Sequence, residues 1–147
     1  MTIRTMEKAH QYLDTWVQNC QTPGEHRLDG EIACENLLPA VKALDDHDWG
    51  YLVAITGLDC DVEAGVIEVL YQFCAGSAVL TLRVTCSREQ PVVPSIYSII
   101  PYATVFEREL REMFGVEVLD ISDASPLYLP DDWTEGVYPL RKDVEGK

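Results

Sequence analysis

Hydrophobic residues near the amino end of the chain recur at the three- and four-residue steps that place side chains on one face of a helix. They are Met6, Ala9, Leu13, Trp16, Val17 and Cys20. A Pro-Gly pair follows at positions 23 and 24, where a helix is expected to stop. The pattern therefore predicts a first helix that carries these residues on one face and is stopped by Pro23-Gly24.

A short strand and a second helix are predicted next. Ile32 and Cys34 alternate within Glu31–Glu35, which is the two-residue period of a strand. Asn36 is a residue type that caps helices, and Pro39 is tolerated within a first helical turn. The apolar stripe of this second helix consists of Leu37, Val41 and Leu44.

Three strand-like segments come after the second helix. The first, Tyr51–Leu58, is apolar and rich in β-branched residues. The other two, Gly65–Cys74 and Val79–Cys86, alternate between apolar and polar side chains, and a short Ala-Gly-Ser-Ala linker joins them. We therefore predict that they form a hairpin in an antiparallel sheet that buries one face.

A third helix is predicted before the regular pattern fades at Asp120. Its apolar stripe consists of Ala103, Phe106, Leu110, Met113 and Phe114, and Gly115 can end it. The predicted fold is α+β, a mostly antiparallel sheet of about four strands with helices packed on it, in the order α-β-α-β-β-β-α. Residues 1–119 would form this domain, and residues 120–147 would form an extended tail that binds a partner.

The predicted tail combines large apolar side chains with three prolines. Its apolar residues are Leu127, Tyr128, Leu129, Trp133, Val137, Tyr138 and Leu140. Ordering the backbone costs roughly 1–2 kcal/mol per residue, and full burial of one such side chain returns roughly 1.5–3 kcal/mol. Because these sums are comparable, the tail can be ordered only against an apolar surface, either its own sheet or another protein.

Charge and length restrict the classes of partner. The 147 residues include 25 acidic and 11 basic side chains, which gives a formal net charge of −14. Nucleic acid and anionic membrane surfaces are therefore poor direct partners. We find no apolar run of membrane-spanning length and no apolar signal-peptide core. We expect a cytoplasmic protein that reaches a membrane only through a complex.

Residues with metal or catalytic chemistry are widely separated in the sequence. The five cysteines are Cys20, Cys34, Cys60, Cys74 and Cys86. Their odd number and wide spacing indicate reduced thiols, and the three histidines also lack the spacing of metal ligands. The chain has no phosphate-binding glycine loop and no GxSxG nucleophile motif. We therefore expect no metal, cluster or other cofactor.

Two charged motifs resemble the signature of the 30-kDa subunit family of respiratory complex I. The first motif is Phe106–Gly115, which reads F-E-R-E-L-R-E-M-F-G, and the second is Leu129–Trp133 together with Gly136–Asp143, which ends in P-L-R-K-D. The resemblance extends from Tyr51 to Asp143 and includes the V-P-S-I sequence that precedes the third helix. The same family supplies small subunits of energy-converting, membrane-bound NiFe hydrogenases and formate hydrogenlyase-type complexes.

The resemblance implies a peripheral-arm subunit that holds no cofactor of its own. It would brace the large catalytic subunit beside a neighbouring iron–sulfur subunit. Glu107, Arg108 and Glu109 would set the domain against the partner, and the R-K-D sequence would fix the tail through charge-assisted hydrogen bonds. The candidate partner-binding residues are Glu107, Arg108, Glu109, Phe114, Trp133, Tyr138, Arg141, Lys142 and Asp143.

Departures from the family pattern favour the hydrogenase branch. Many members carry a G-H-P segment and arginines after the F-G pair, whereas Asp120–Leu127 contains no His and no Arg. The chain is also short for a subunit of an NADH-oxidising complex. We therefore expect a non-catalytic scaffold subunit of a membrane-bound NiFe hydrogenase, with a subunit of an NADH (or other donor):quinone oxidoreductase as the alternative.

Two interpretations from other classes remain open. The chain could be a small acid–base or thiol enzyme that uses Glu107, Glu109 and Glu112 or one of its cysteines. It could also be a binding module whose tail packs on a second copy of itself. Activity without a partner would favour the enzyme, and self-association of the isolated chain would favour the module.

Overall fold

The computed structural model describes residues 2–143 of the chain, with side chains from Thr5 onward. The described residues form three α-helices and seven β-strands. The helices are α1 (Thr2–Leu13), α2 (Leu37–Asp46) and α3 (Thr104–Phe114). The strands are β1 (Val17–Gly24), β2 (Arg27–Ile32), β3 (Tyr51–Asp59), β4 (Val66–Ala75), β5 (Ala78–Ser87), β6 (Val92–Pro94) and β7 (Glu117–Leu119).

The main sheet contains five strands in the spatial order β1-β2-β5-β4-β3. Strand β2 runs parallel to β5, and the other neighbouring pairs are antiparallel. The short strands β6 and β7 pair separately in parallel. Helix α1 contacts α2 and the central strand β5, whereas α3 contacts the edge strand β3.

The structure confirms the hairpin that the alternation of apolar and polar residues predicts. Strands β4 and β5 pair along their full lengths and turn one apolar face into the core. The buried residues of this face are Ile67, Val69, Tyr71, Phe73, Leu80, Leu82 and Val84. On the other face Arg83 forms ion pairs with Asp29 and Glu68, so the polar face is a network of charges on β2, β4 and β5.

The predicted first helix is wrong beyond Leu13. Residues 17–24 form an edge strand instead, and this strand continues through Pro23. An edge strand tolerates proline because one row of its amide groups needs no partner strand. Val17 packs directly over Gly30 of β2, where any Cβ would lie 2.2 Å from the Val17 side chain. The apolar spacing at 16, 17 and 20 suits a helix, but antiparallel pairing with β2 decides the structure.

The fold class is confirmed as α+β, although the sheet has more strands than expected. The predicted strands at 51–58, 65–74 and 79–86 agree with β3, β4 and β5 within one residue at each end. The short strand lies earlier than predicted, since residues 34–36 form a 3₁₀ turn, and Asn36 precedes α2 without a side-chain cap. Gly115 ends α3 with a positive φ of 69°, as predicted. Within residues 2–143, no helix has the length and apolar character needed to cross a bilayer.

Candidate partner-binding surface

Residues 120–143, called the tail below, contain no helix or strand and run back along α3. Such a segment needs partners for its backbone groups, because irregular structure leaves amides and carbonyls without a regular ladder. The tail finds them in four groups of contacts with α3 and the sheet, most of them made by side chains outside the tail. We call these groups the tail anchors.

The first tail anchor consists of two arginines on α3. Arg108 donates from Nε to the Ser125 carbonyl at 3.0 Å and from Nη2 to the Pro126 carbonyl at 2.8 Å. Arg111 donates from Nη1 to the Ala124 carbonyl at 2.9 Å. The fork of a guanidinium group can bind two acceptors in fixed geometry, so these arginines set the path of three consecutive tail residues.

The second tail anchor is Glu112. Its Oε1 accepts the backbone amide of Leu127 at 2.6 Å, and its Oε2 accepts the amide of Tyr128 at 2.9 Å. Glu112 lies four residues after Arg108, so both side chains extend from the same face of α3. Together they bind both kinds of backbone group in the segment 124–128, the carbonyls through arginine and the amides through glutamate.

The third tail anchor closes the carboxyl end of α3. Arg141 donates from Nε to the Phe114 carbonyl at 2.7 Å, and the amide of Leu140 donates to the Met113 carbonyl at 3.1 Å. These are terminal carbonyls that a helix cannot satisfy internally, and a cation there also complements the helix dipole. The Arg141 guanidinium stacks over the Tyr138 ring, 5.0 Å from its centre.

The fourth tail anchor is a buried ion pair at the ends of two strands. Asp59, at the end of β3, is 3% exposed and pairs with Arg88, which follows β5. Asp59 Oδ2 also accepts the backbone amide of Lys142 at 2.7 Å, and Arg88 Nη2 lies 3.1 Å from Asp143 Oδ1. The last described residues of the tail are therefore tied to the sheet.

The Asp59 carboxyl is strongly acidic in this setting. Burial by itself would raise its pKa, but the hydrogen bonds from Arg88 and from the amides of Lys142 and Asp61 outweigh burial and lower the pKa to about 2. The hydrogen bond to Asp59 also raises the pKa of the Arg88 guanidinium. Both partners therefore carry their charges at physiological pH, and the tail is held by a permanent ion pair.

Apolar side chains remain on the surface between the anchors. Tyr128 is 62% exposed, Trp133 is 42% exposed and Leu140 is 48% exposed. The Trp133 indole donates to the Val137 carbonyl at 2.8 Å, which fixes the ring while leaving much of it in water. These three side chains are the exposed large apolar residues of the tail, and we call them together the apolar patch. An ordered surface of this kind is typical of a protein–protein contact.

Glu107 occupies a different environment from the one expected. It is 1% exposed, accepts the Ser95 hydroxyl at 2.7 Å and accepts the Ile96 amide at 2.9 Å. Burial raises the pKa of its carboxyl, against the opposing effect of these two hydrogen bonds. The expected direct contact between Glu107 and a partner is therefore corrected: the side chain holds the 95–96 loop inside the domain and has no surface to offer.

The remaining candidate residues are divided between core and surface. Phe114 is buried against Gly57 of β3, where a Cβ would lie 2.4 Å from the ring. Tyr138 packs in the same close manner on Gly115. Glu109 is half-buried, and Lys142 binds Asp59 through its backbone amide rather than its ammonium group. Phe114 thus contributes to the core, and Tyr138 belongs to the internal packing of the tail.

The arrangement of the α3 glutamates does not favour acid–base chemistry. Glu107 binds a loop inside the domain, whereas Glu112 binds the tail, so the oxygens of both are occupied by internal donors. Of the side chains from Thr5 to Asp143, no three His, Cys, Asp or Glu residues are grouped in a way that could hold a metal ion.

Sequence reasoning missed the residues that anchor the tail from the sheet. Asp59 and Arg88 were not among the candidates. Each occupies a position that the two-residue alternation of the neighbouring strand residues turns toward the core, where an apolar residue is expected. A charged residue at such a position signals a buried pair. Arg111 and Glu112 lay inside the F-E-R-E-L-R-E-M-F-G motif, and their contacts became visible only with the path of the tail.

Comparisons with known proteins agree with this architecture. Residues 31–147 match the family model described as respiratory-chain NADH dehydrogenase, 30 Kd subunit. The chain is 42% identical to formate hydrogenlyase subunit 5 of Escherichia coli over 112 residues, which cover 74% of the chain and 20% of that protein. It is 42% identical over 67 residues to the membrane-bound hydrogenase subunit beta of Pyrococcus furiosus, which covers 46% of the chain and 39% of that protein.

A solved structure shares the fold over nearly the full chain. It is a chain of the membrane-bound sulfane sulfur reductase, an archaeal respiratory membrane complex, with a TM-score of 0.83 and 20% identity. The match covers 97% of this chain and 86% of that chain. Because the family model matches well over half of the sequence, the chain belongs to the family of the 30 Kd subunit of the respiratory-chain NADH dehydrogenase.

Proposed function

We propose that the chain is a non-catalytic scaffold subunit in the cytoplasmic arm of a complex I-like, energy-converting redox complex. Its role is to brace the catalytic large subunit and a neighbouring iron–sulfur subunit, and the complex is a membrane-bound NiFe hydrogenase. The chain itself reaches the inner face of the cell membrane only through these partners. The observation that carries the proposal is the tail, which is held at four anchors while its apolar patch faces outward.

The anchors make the patch suitable for docking because they bind the tail before any partner arrives. A segment that is already ordered does not lose further conformational freedom on binding, so more of the contact energy appears as affinity. The apolar patch is accompanied by the exposed acids Asp131, Asp132 and Glu135. Subunit interfaces are enriched in aromatic side chains and have a polar rim, so this composition supports a docking role.

The lengths of the relatives support a large polypeptide as the partner. The chain corresponds to only 20% of formate hydrogenlyase subunit 5 and to 39% of the membrane-bound hydrogenase subunit beta. In those proteins a domain similar to this one is therefore part of a longer polypeptide. We infer that the surface this domain binds resembles the unmatched part of such a polypeptide.

A quinone-reducing complex is the second candidate. The family is described by its respiratory-chain NADH dehydrogenase member, so an NADH (or other donor):quinone oxidoreductase is a possible host complex. The two candidates share the docking surface and differ in the identity of the large partner. A partner related to hydrogenases favours the first, and a partner related to quinone reductases favours the second.

Native purification through an affinity tag tests the proposal. We expect co-purification of a protein that mass spectrometry identifies as similar to the unmatched four-fifths of formate hydrogenlyase subunit 5. The variant Y128S/W133S/L140S should lose this partner by at least about ten-fold, since burial of several large apolar side chains is removed. Recovery of the wild-type chain as a lone monomer would contradict the proposal.

A matched control separates loss of the apolar patch from a general loss of apolar surface. Tyr51 and Val53 are comparably exposed on β3, at 63% and 42%, and lie outside the tail. The variant Y51S/V53S should retain the partner at the wild-type level. Equal loss of partner in both variants would assign the effect to a nonspecific change in surface character.

A further inference from the structure

Two cysteines that are distant in the sequence meet inside the domain. The Cys34 thiol donates to the Val92 carbonyl at 3.5 Å, and the Cys86 thiol donates to the same oxygen at 3.6 Å. One carbonyl oxygen therefore receives both S–H groups. This convergence brings the two sulfur atoms into one small region between the end of β5 and the start of β6.

The strand register explains why the two thiols meet. Strands β2 and β5 run parallel, and Glu31 faces Arg83 in their pairing. Three residues further along each strand direction, the chain reaches Cys34 and Cys86. Cys86 continues the inward alternation of β5 after Leu82 and Val84, whereas Cys34 follows β2 by two residues, in the 3₁₀ turn. The parallel pairing thus brings the ends of β2 and β5 to the same end of the sheet, and the hydrogen bonds to the Val92 carbonyl show that the two thiols converge there.

The two thiols differ in access to solvent. Cys34 lies in the 3₁₀ turn before α2 and is half-buried, whereas Cys86 is buried. The Tyr71 hydroxyl is fully buried close enough to interact electrostatically with both thiols, and it has no hydrogen-bond partner among the described residues. Because Cys34 is half-buried, it is the more accessible of the two thiols to a small reagent, and the shared Val92 carbonyl keeps the buried Cys86 near it.

We propose that Cys34 and Cys86 form a dithiol modification site, which a small-molecule disulfide converts into an intramolecular disulfide bond. The bond joins the β2–α2 connection to the end of β5. The inference is independent of the proposed scaffold function, because it depends only on residues of the domain core.

The reaction is a pair of thiol–disulfide exchanges. The Cys34 thiolate attacks one sulfur of the small disulfide, breaks its S–S bond and releases one small thiol. The Cys86 thiolate then attacks the Cys34 sulfur and releases the second small thiol. The two protons lost by the cysteines are gained by the two released thiols, and the two electrons pass from the cysteines to the small disulfide.

Burial affects the rate and the consequence of this reaction. Burial raises the pKa of both thiols, so only a small fraction is thiolate at neutral pH and the exchange is slow there. The product links residues 34 and 86, which removes conformations from the unfolded chain. We therefore expect the oxidised protein to melt at a higher temperature than the reduced protein, by about 5 °C or more.

The experiment treats the full chain with glutathione disulfide as the probe and maps its peptides without reduction. We expect a cross-linked peptide pair containing Cys34 and Cys86 and a melting temperature that returns to its starting value after reduction. In C20S/C60S/C74S, which has no other thiols for glutathione to modify, the intact mass should also fall by two hydrogens. The variant C20S/C60S/C74S keeps both cysteines of the pair and should behave like the wild type. The variants C34S and C86S should each lose the cross-link.

Two outcomes would overturn the proposal. One is a stable glutathione adduct on Cys34 that Cys86 does not displace, which would place the thiols too far apart. The other is a cross-link that uses Cys20, Cys60 or Cys74 instead of the pair. The variant C20S/C60S/C74S keeps both Cys34 and Cys86. It therefore still tests whether the cross-link forms if C34S or C86S does not fold.

Discussion

The domain and the tail are held by opposite physical means. In the domain, β4 and β5 direct a continuous apolar face into the core, and burial of that face stabilises the sheet. In the tail, side chains of α3 and of the sheet bind carbonyls and amides, while the apolar patch stays exposed. Burial thus organises the first region, and a few directed polar contacts organise the second.

This difference shows how a chain can order a binding surface without burying it. The anchors bind mainly to backbone atoms of the tail, so they fix its path without using the side chains of the apolar patch. Those side chains remain available to another protein. It follows that substitutions in the core and at the anchors should have separable effects, on global stability in the first case and on tail order in the second.

The largest effect is expected where the two regions meet, at Asp59. The substitution Asp59→Ala removes the partner of the buried Arg88 guanidinium and the acceptor of the Lys142 amide. Loss of one member of a buried ion pair costs about 3–5 kcal/mol. Urea unfolding should show this loss, and a change below about 1 kcal/mol would mean that the pair is solvated.

A core truncation should act on the domain alone. Leu82 is fully buried in β5, and Leu82→Ala should reduce the free energy of unfolding by about 2–5 kcal/mol because it leaves a cavity. Below the unfolding transition, limited proteolysis should cut the tail of this variant no faster than in the wild type. Faster cleavage of the tail would show that its order depends on core packing rather than on its anchors.

Acid titration should weaken the link between the regions. The pKa of Asp59 is about 2 in the folded state and 3.8 in the unfolded chain. The ionised carboxylate therefore stabilises the fold above about pH 4. This stabilisation should disappear as pH falls from 4 to 2. The raised pKa of Glu107 acts in the opposite direction, since its folded state prefers the proton.

Comparison with Asp59→Asn isolates the Asp59 contribution to the pH dependence. Both proteins retain Glu107, so the difference between their stabilities should be constant above pH 4 and should shrink below it. Thermal melts between pH 2 and pH 6 measure this difference. A difference that stays constant down to pH 2 would exclude Asp59 as the titrating group.

The smallest effect on stability is expected at Glu112. The substitution Glu112→Ala removes the acceptors of the Leu127 and Tyr128 amides, and their hydrogen exchange should accelerate by about ten-fold or more. Global stability should change by less than about 1 kcal/mol, because the core is untouched. Glu109→Ala is the matched control on the same helix. The amides of residues 127 and 128 should exchange faster in Glu112→Ala than in this control, and equal exchange in the two variants would contradict the prediction.

Strands that bury one face could be predicted from the sequence because alternation leaves little freedom in register. The segments 51–58, 65–74 and 79–86 were found for this reason. The segment 16–20 was assigned wrongly because Trp16, Val17 and Cys20 satisfy a helical spacing, and only β2 reveals the competing strand. The spacing of apolar residues within one segment carries no information about where a neighbouring strand lies.

The environments of the candidate residues could be predicted only in part, for reasons of helix geometry. Glu107, Arg108 and Glu109 are adjacent in the sequence, but successive residues of a helix point about 100° apart. One therefore enters the core, and Arg108 binds the tail. The roles of Asp59 and Arg88 depend on contacts between distant segments, which no single stretch of the sequence encodes.

Hydrogen exchange of the chain alone and in its purified complex tests the central claim most directly. If the tail is the docking surface, the amides of residues 128–140 should become more protected in the complex, whereas those of β4 and β5 should not change. Protection that appears only on the edge strand β1, with the tail amides unaffected, would contradict the claim.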